Sequence, residues 1–502
     1  MFSFNYGHLK IRETMSVIYD EIFDFSTKFD AFKYQAEAVD VMKDLEYGAI
    51  FHEQGLGKTK IAIDILLYWL EKGIDTVIIV TKKTLVLNWM SEFQTHTSLI
   101  PDILSSKKGD NFFIFNSPTR VIVTNFETIS SEKERLKLFL QTRKVGIIID
   151  ESTKIKNPES KLTKDFFELS SYFKRRIIMT GTPVANRPYD IWAQIYFLDF
   201  GKSLGVNFNS FKKECDLSND LGNNDNKVIA FENSVASIFD KIRLFSVRET
   251  KNSGIISLPD KHIHTILVPF KNVQKRMYDI VREEMELSVV KGDTTILDES
   301  PEAIKRLLRL VQICSNPALI DDSYKELSAK ENKLDELIHK ILECGDNVIV
   351  WSIFTDNIDR FALKYKSVGA VKITGKMNME ARNHSVNSFK YGDSRVLFAT
   401  PQSAKEGLTL TNANHAIFYD RGFNLDDYLQ AQDRIHRLSQ TKDCHIYNLI
   451  VEDSIDKWID ILLYAKQQAA FLAQGDTTIS EYHKAADYSF ARIIRNILNI
   501  EQ

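Results

Sequence analysis

Residues Ala49–Leu70 read A-I-F-H-E-Q-G-L-G-K-T-K-I-A-I-D-I-L-L-Y-W-L. Three apolar residues lead into a turn containing Gly55 and Gly57. Lys58 and Thr59 follow, and apolar residues then recur at helical spacing. A glycine turn between a buried strand and a helix turns backbone N–H groups outward, and the helix N-terminus adds its dipole. That arrangement suits a phosphate group. On this reading Gly55, Gly57, Lys58 and Thr59 hold ATP, with Lys58 reaching the terminal phosphates and the Thr59 hydroxyl binding Mg²⁺. An ordinary glycine turn capping a helix is the competing account, and the strand before and helix after weigh against it. The usual pattern opens on glycine, whereas this one opens on His52.

About ninety residues downstream comes V-G-I-I-I-D-E-S-T-K-I-K-N, Val145–Asn157. Asp150 and Glu151 close an apolar run, and two adjacent carboxylates at the end of a buried strand need a partner. Asp150 is expected to hold Mg²⁺, directly or through water. Glu151 is expected to orient and deprotonate the attacking water. Acids stabilising a helix N-terminus would give the same local pattern. The phosphate loop upstream decides for the metal and the base.

Working outward, short apolar runs alternate with amphipathic stretches: Thr76–Val80, Val121–Thr124, Val145–Ile149 and Arg176–Met179, then Asn347–Trp351, Arg395–Ala399 and Ala416–Tyr419. Such runs are buried strands of a parallel sheet. They cluster in Phe29–Phe200 and Lys330–Lys466, which predicts two α/β lobes. From about Gly201 to Ile320 apolar residues recur at spacings of three and four, predicting helices, interrupted by a polar loop at Ser218–Lys227. The buried-context tryptophans Trp89, Trp192 and Trp351 read as packing residues. His415 and His436 belong to no ligand cluster and read as structural or groove residues.

Composition sets the outer bounds. The 502 residues carry a net charge of −3, which excludes a uniformly basic nucleic-acid coat and leaves room for a local basic track. Cys215, Cys314, Cys344 and Cys444 are scattered without metal-ligand spacing, as expected of thiols in a reducing compartment. No signal peptide and no apolar stretch of spanning length is evident, so a cytoplasmic location without membrane contact is expected.

The motifs have companions in a fixed order, and through them the chain resembles the Swi/Snf branch of the superfamily 2 helicases. F-K-Y-Q-A-E-A-V-D-V-M (Phe32–Met42) looks like the Q motif. T-V-I-I-V-T-K-K-T-L-V-L-N-W-M-S-E-F (Thr76–Phe93) resembles motif Ia, and V-I-V-T-N-F-E-T-I-S (Val121–Ser130) motif Ib. The stretch from Arg176 to Phe200, with T-G-T-P and N-R-x-x-D-I-W, matches motif III. L-L-R-L-V-Q-I-C-S-N-P-A-L-I (Leu307–Ile320) is similar to a family stretch ahead of the second lobe. N-V-I-V-W-S-I-F-T-D-N (Asn347–Asn357) resembles motif IV, Ala399–Asn424 motif V, and Q-A-Q-D-R-I-H-R-L-S-Q (Gln430–Gln440) motif VI.

The resemblance implies an α/β fold: two RecA-like lobes with parallel sheets, joined by a helical insert, of the P-loop NTPase kind. The expected divisions are an N-terminal extension (1–27), lobe 1 (28–200), helical protrusions and linker (201–325), lobe 2 (326–466) and a helical tail (467–502). It implies that Gln35 reads adenine, its amide satisfying a donor and an acceptor edge, and that Gly407 and Gln430 join the nucleotide contacts. Lys82, Lys83, Thr84, Asn125, Thr374 and Lys405 would meet nucleic acid. Thr180, Gly181 and Thr182 would couple that groove to hydrolysis. Arg434 and Arg437, three apart and so expected on one helix face, would act as arginine fingers on ATP bound between the lobes.

The chain departs from the family at His52, where an acid is usual, and in D-E-S-T where D-E-A-H or D-E-G-H is usual. Ala404-Lys405 replaces two glycines, and Ser439 replaces a glycine. The activity implied is a DNA-dependent ATPase that tracks along duplex DNA. A strand-separating or branch-migrating helicase, acting on branched or single-stranded DNA or on RNA, and a non-catalytic nucleotide switch or scaffold are the rivals. The lack of an appended zinc, nuclease or chromatin-reading module points to a bacterial, phage or viral source, with a protein partner supplying targeting; a eukaryotic source would place the chain in the nucleus.

Overall fold

The computed structural model describes residues 24–216, 225–254, 258–290, 301–404, 408–437 and 439–485. These form two compact units. The first takes in the described residues up to Pro183, with 191–208 and 242–254; the second takes in 184–190, 209–241 and the described residues from 258 onward.

The first unit is built on seven strands: β1 (Tyr47–Ile50), β2 (Thr76–Thr81), β3 (Asp102–Ile103), β4 (Val121–Asn125), β5 (Val145–Asp150), β6 (Arg175–Met179) and β7 (Ser246–Val247). Their order is β3-β4-β2-β5-β6-β1-β7, and every pairing is parallel. Central β2 is buried along its whole length and β5 all but its final Asp150, which is why both read as uninterrupted apolar runs. The helix Lys58–Glu71 covers the sheet through Ile61, Ile65, Leu66 and Trp69, all buried. At about 1.5–3 kcal/mol for each large side chain buried, this helix face is a main part of the core. Gly146 in β5 lies beneath it: a Cβ there would sit 2.9 Å from Trp69 Cε3. The glycine inside V-G-I-I-I is therefore a packing requirement.

The second unit holds β8 (Lys261–Val268), β9 (Val348–Trp351), β10 (Val371–Ile373), β11 (Val396–Ala399), β12 (His415–Phe418) and β13 (Cys444–Val451). They are ordered β10-β11-β9-β12-β13-β8, again all parallel. Each strand predicted from an apolar run is present, within a residue or so of its expected ends.

The stretch expected to hold helices and a polar loop also contains strands. Its helices are Phe208–Cys215, Asp225–Ile242, Asn272–Val290 and Pro301–Ser315, and its strands are two. β7 edges the first sheet, and the eight-residue β8 pairs along all of β13. β8 is an edge strand, K-H-I-H-T-I-L-V, much of it exposed. It lacks the continuous apolar run of a central strand, so its sequence did not announce it. The boundary expected at residue 466 also moves, because one helix runs unbroken over Ile455–Gln474. The loop read at Ser218–Lys227 lies outside the described residues up to 224, and its last three residues begin the helix Asp225–Ile242. Residues 1–23 of the expected extension and 486–502 of the expected tail lie outside them as well.

The family-like stretch before the second lobe has a structural task. Ser315 Oγ donates to Asp420 Oδ2 (2.6 Å), as does Ser352 Oγ (2.7 Å), while Asp420 Oδ1 accepts the Ile353 N–H (2.6 Å). Asn316 caps the next turn through Ala318 N–H and donates to Asn357 Oδ1. Burial pushes the Asp420 carboxyl up, and these donors work against that shift. S-N-P is thus the buried polar tie between the helix Pro301–Ser315 and the carboxyl end of β12.

Candidate functional site

In a parallel sheet all strands end on one edge, and ligands bind there. Ile50 of β1 and Asp150 of β5 are both in register with Met179 of β6, which lies between them. The segments after Ile50, Met179 and Asp150 therefore leave the sheet side by side. Those after β2 and β4 leave along the same edge.

The segment after β1 is the glycine turn read from sequence as a phosphate loop. Gly55 (φ 86°) and Gly57 (φ 68°) are left-handed, a conformation that a Cβ disfavours. At Gly57 there is a second reason: a Cβ would run into Gln35 Nε2. Lys58 and Thr59 open the following helix. The Lys58 ammonium is folded back over the loop, donating to the carbonyls of His52 (2.8 Å) and Glu53 (3.1 Å). Gln35, expected to read a base, is buried against this loop. Its Oε1 accepts the Phe32 N–H (2.9 Å), and its Nε2 lies 3.4 Å from the Leu56 carbonyl.

Asp150 closes β5. Its Oδ2 accepts the indole N–H of Trp89 (2.9 Å) and the hydroxyl of Thr81 (3.1 Å). Burial, then the neighbouring Glu151, push its carboxyl up, while Trp89, Lys58 and Thr81 act in the opposite sense. Glu151 has a left-handed backbone (φ 56°, ψ 51°) at the start of the short 3-10 turn Ser152–Ile155. For a non-glycine residue this is a costly conformation of the kind found at functional sites. Behind it, Ser152 Oγ donates to Gln194 Oε1 (2.7 Å) and Gln194 Nε2 to the Pro183 carbonyl (2.8 Å).

The segment after β6 backs the loop. Thr180 N–H donates to the Ile50 carbonyl (3.2 Å). A Cβ on Gly181 would stand 2.6 Å from Gln54 Cγ and 2.9 Å from its backbone nitrogen. Thr182 N–H closes onto Thr180 Oγ1 (3.2 Å).

Thr81, Trp89, Ser152 and Gln194 were not among the site residues expected from sequence. Trp89 was expected only to pack. It is buried, but its N–H also needs an acceptor, and Asp150 is that acceptor.

Several buried polar atoms around the loop have no hydrogen-bond partner: both ring nitrogens of His52, Gln54 Nε2 and Glu151 Oε2. Burial, with Lys58 adding to it, lowers the His52 pKa to about 4, so the ring is neutral. A glycine loop closed to side chains, a lysine, a helix-start hydroxyl and unpartnered donors fit a nucleotide phosphate. Among the described residues no three His, Cys, Asp or Glu gather as a metal site. A cation at Thr59 and Asp150 would complete its shell from phosphate and water, as Mg²⁺ does.

The residues expected to meet nucleic acid are placed unevenly. Lys83 is exposed and Thr84 half-buried on the turn after β2. Lys82, on the same turn, has its ammonium 3.5 Å from Glu151 Oε2. Asn125 and Thr374 are both buried. Asn125 caps the helix Phe126–Ser131, its Oδ1 accepting Thr128 N–H (3.0 Å). Thr374, directly after β10, is 3% exposed. Lys405 and Gly407 lie outside the described residues.

In the second unit Arg434 and Arg437 do not share a helix face. The helix Leu425–Gln432 ends before them, and tight turns follow, with Arg434 N–H bonded to Ala431 O and Ile435 N–H to Gln432 O. Burial of Ile435 and pairing with residues 408–410 redirect the chain. Leu410 N–H donates to the Arg434 carbonyl (3.0 Å), Arg434 Nη1 to Leu408 O (3.2 Å) and Arg437 Nη1 to Thr409 Oγ1 (2.9 Å). Gln430 is buried and donates to Asp426 Oδ1 (2.7 Å).

With two separate parallel sheets, and a glycine-rich loop at the carboxyl edge of the first, the chain is an α/β protein of two RecA-like lobes. Its matches to known proteins narrow the class. The family described as SNF2-related domain matches residues 34–319, and the helicase conserved C-terminal domain matches residues 329–439. The first spans more than half of the sequence, and the chain belongs to the SNF2-related family.

Among relatives, an uncharacterized ATP-dependent helicase of Mycoplasma genitalium is 27% identical over 455 residues, covering 87% of this chain and 41% of the relative. An ISWI chromatin-remodeling complex ATPase of Saccharomyces cerevisiae is 26% identical over 457 residues, covering 85% and 39%. The chain thus spans about two fifths of the length of these relatives. Among solved structures, the Sulfolobus solfataricus SWI2/SNF2 ATPase core in complex with dsDNA matches with a TM-score of 0.42 and 24% identity, over 92% of this chain and 98% of that one.

Proposed function

We propose that this chain is an ATP-hydrolysing DNA motor that tracks along duplex DNA. The observation that carries this reading is the shared sheet edge, where the phosphate loop after β1 stands beside the Asp150–Glu151 end of β5 with the Thr180–Thr182 segment between. The relatives' descriptions as ATP-dependent helicase and remodelling ATPase agree with it.

In this reading the loop amides and Lys58 bind the phosphates of ATP. Thr59 and Asp150 hold Mg²⁺, which would neutralise charge on the phosphate oxygens. Trp89 and Thr81 fix the Asp150 carboxylate. Glu151 orients a water and takes its proton. Arg434 and Arg437 stabilise charge developing on the transferred phosphoryl group. Thr180–Thr182, touching both the β1 end and Gln54, transmits phosphate-loop changes toward the turn that carries Lys83 and Thr84, which grips the DNA backbone.

The test is the ATPase rate with duplex DNA, single-stranded DNA and RNA, together with triplex displacement. Stimulation by duplex DNA with triplex-strand release is expected. Stimulation by single strands or forks, with separated product strands, would instead make the chain a helicase. Full DNA-stimulated turnover by Glu151→Gln would refute the role given to Glu151.

A further inference from the structure

We propose that Lys82 holds Glu151 in check and that a nucleic-acid phosphate releases it, so that one lysine links the backbone-gripping turn to the hydrolytic carboxylate. The inference rests on the reading of Glu151 as the water-activating base.

Glu151 Oε2 has no hydrogen-bond partner, and the Lys82 ammonium lies 3.5 Å from it. The two side chains are 22% and 15% exposed, so the pair is largely shielded from solvent and salt. The Glu151 main chain is held in place: its backbone is left-handed and its carbonyl accepts Lys154 N–H (3.0 Å). The cation therefore sits on the carboxylate oxygen that a water would otherwise approach.

Lys82 is better able to move. It lies between β2 and the 3-10 turn Lys83–Leu85, its carbonyl accepting Leu85 N–H (2.8 Å). Its ammonium is a compact charge on a flexible stem with three rotatable donors. Lys83 is exposed on the same turn. A phosphate drawn to Lys83 arrives within one residue of Lys82 and competes with Glu151 for the same ammonium. The contact made with DNA is then itself the event that uncovers the carboxylate oxygen. Lys82 is a positioning residue in this scheme, acting through Glu151.

The experiment compares wild type, Lys82→Gln and Lys82→Arg, measuring ATP turnover without nucleic acid and with a saturating synthetic DNA duplex, and duplex affinity by fluorescence anisotropy. Lys82→Gln is expected to raise DNA-free kcat by about fivefold, within the range that access to a general base controls, and to leave DNA-saturated kcat near wild type. Lys82→Arg is expected to retain the wild-type stimulation ratio. An unchanged DNA-free rate with weakened duplex affinity would overturn the proposal and leave Lys82 a plain backbone contact. A parallel fall of both rates would overturn it too.

A thermal double-mutant cycle of Lys82→Gln with Glu151→Gln needs no turnover. Coupling in the free protein that disappears with bound duplex is expected, and additivity in both states would refute the contact. A wild-type chain that hydrolyses no ATP would sink the motor reading, while this cycle would still decide whether the two side chains are coupled.

Discussion

The indole Nε1 of Trp89 donates to Asp150 Oδ2 across 2.9 Å, tying the helix Val86–His96 to the acidic end of β5. Because desolvation and Glu151 push the Asp150 carboxyl toward its neutral form, each donor that favours the carboxylate favours metal binding. Trp89→Phe keeps most of the packing and deletes the donor. A hydrogen bond to a charged group is worth about 1.5–3 kcal/mol. The expected result is an increase of about tenfold or more in the Mg²⁺ concentration needed for half-maximal ATPase, read from a Mg²⁺ titration at fixed ATP. A lowered Tm with unchanged Mg²⁺ dependence would show that the bond serves the fold alone.

Gly57 and Gln35 make a second test. Gly57→Ala would impose a Cβ on a residue at φ 68° and drive it into the Gln35 amide. Strain of this kind costs about 1–3 kcal/mol, and it falls on the loop that would hold phosphate. Calorimetry with a non-hydrolysable ATP analogue should show affinity lowered by about tenfold or more. Added to Gln35→Ala, Gly57→Ala should cost less affinity than it does in wild type, because the clash is gone and the φ penalty remains. Wild-type affinity in Gly57→Ala alone would contradict the loop's role.

A third prediction concerns stability of the second unit. Lys330 is fully buried, its ammonium 2.6 Å from Asp456 Oδ2 and 2.9 Å from the Tyr419 carbonyl. Lys330→Met would strand a buried carboxylate. Breaking one side of such a pair costs about 3–5 kcal/mol, partly offset here because Asp456 also accepts Val451 N–H and sits at the start of the helix Ile455–Gln474. A clearly lower urea midpoint is expected for Lys330→Met, with part of it regained by adding Asp456→Asn.

Acid should destabilise the second unit through its histidines. His415 and His445 stack at 5.0 Å between ring centroids, and His445 stacks in turn on His264 and His262 of β8. Burial lowers the pKa of both His415 and His445. With folded values below the unfolded value of about 6.5, the unfolded chain takes up protons first. Their contribution is complete above that value and is lost as pH falls below it toward the folded values. Asp150 and Asp420, raised by burial, act in the opposite direction, so the measurement is a difference. Between pH 7 and 5, the Tm of His415→Asn should fall less steeply than that of wild type. Equal slopes would refute the assignment.

Much of this protein follows from its sequence alone. Uninterrupted apolar runs determine parallel strands buried on both faces. Gly55, Gly57, Lys58 and Thr59 mark a glycine turn at a helix start, the pattern read as a phosphate loop. Asp150 and Glu151 announce themselves because an apolar run seldom ends in two carboxylates without a use for them.

Tertiary structure alone decided the strand order that sets β6 between β1 and β5. It also decided the recruitment of β8 into the second sheet and the unwinding of the chain at Arg434. It decided as well which partners the acids keep: Trp89 lies 61 residues before Asp150, and Lys82 lies on a different strand end from Glu151. Local periodicity reports which face of an element is buried, but the neighbour across a sheet edge depends on strand order. The partners of Asp150 and Glu151 are set by that order.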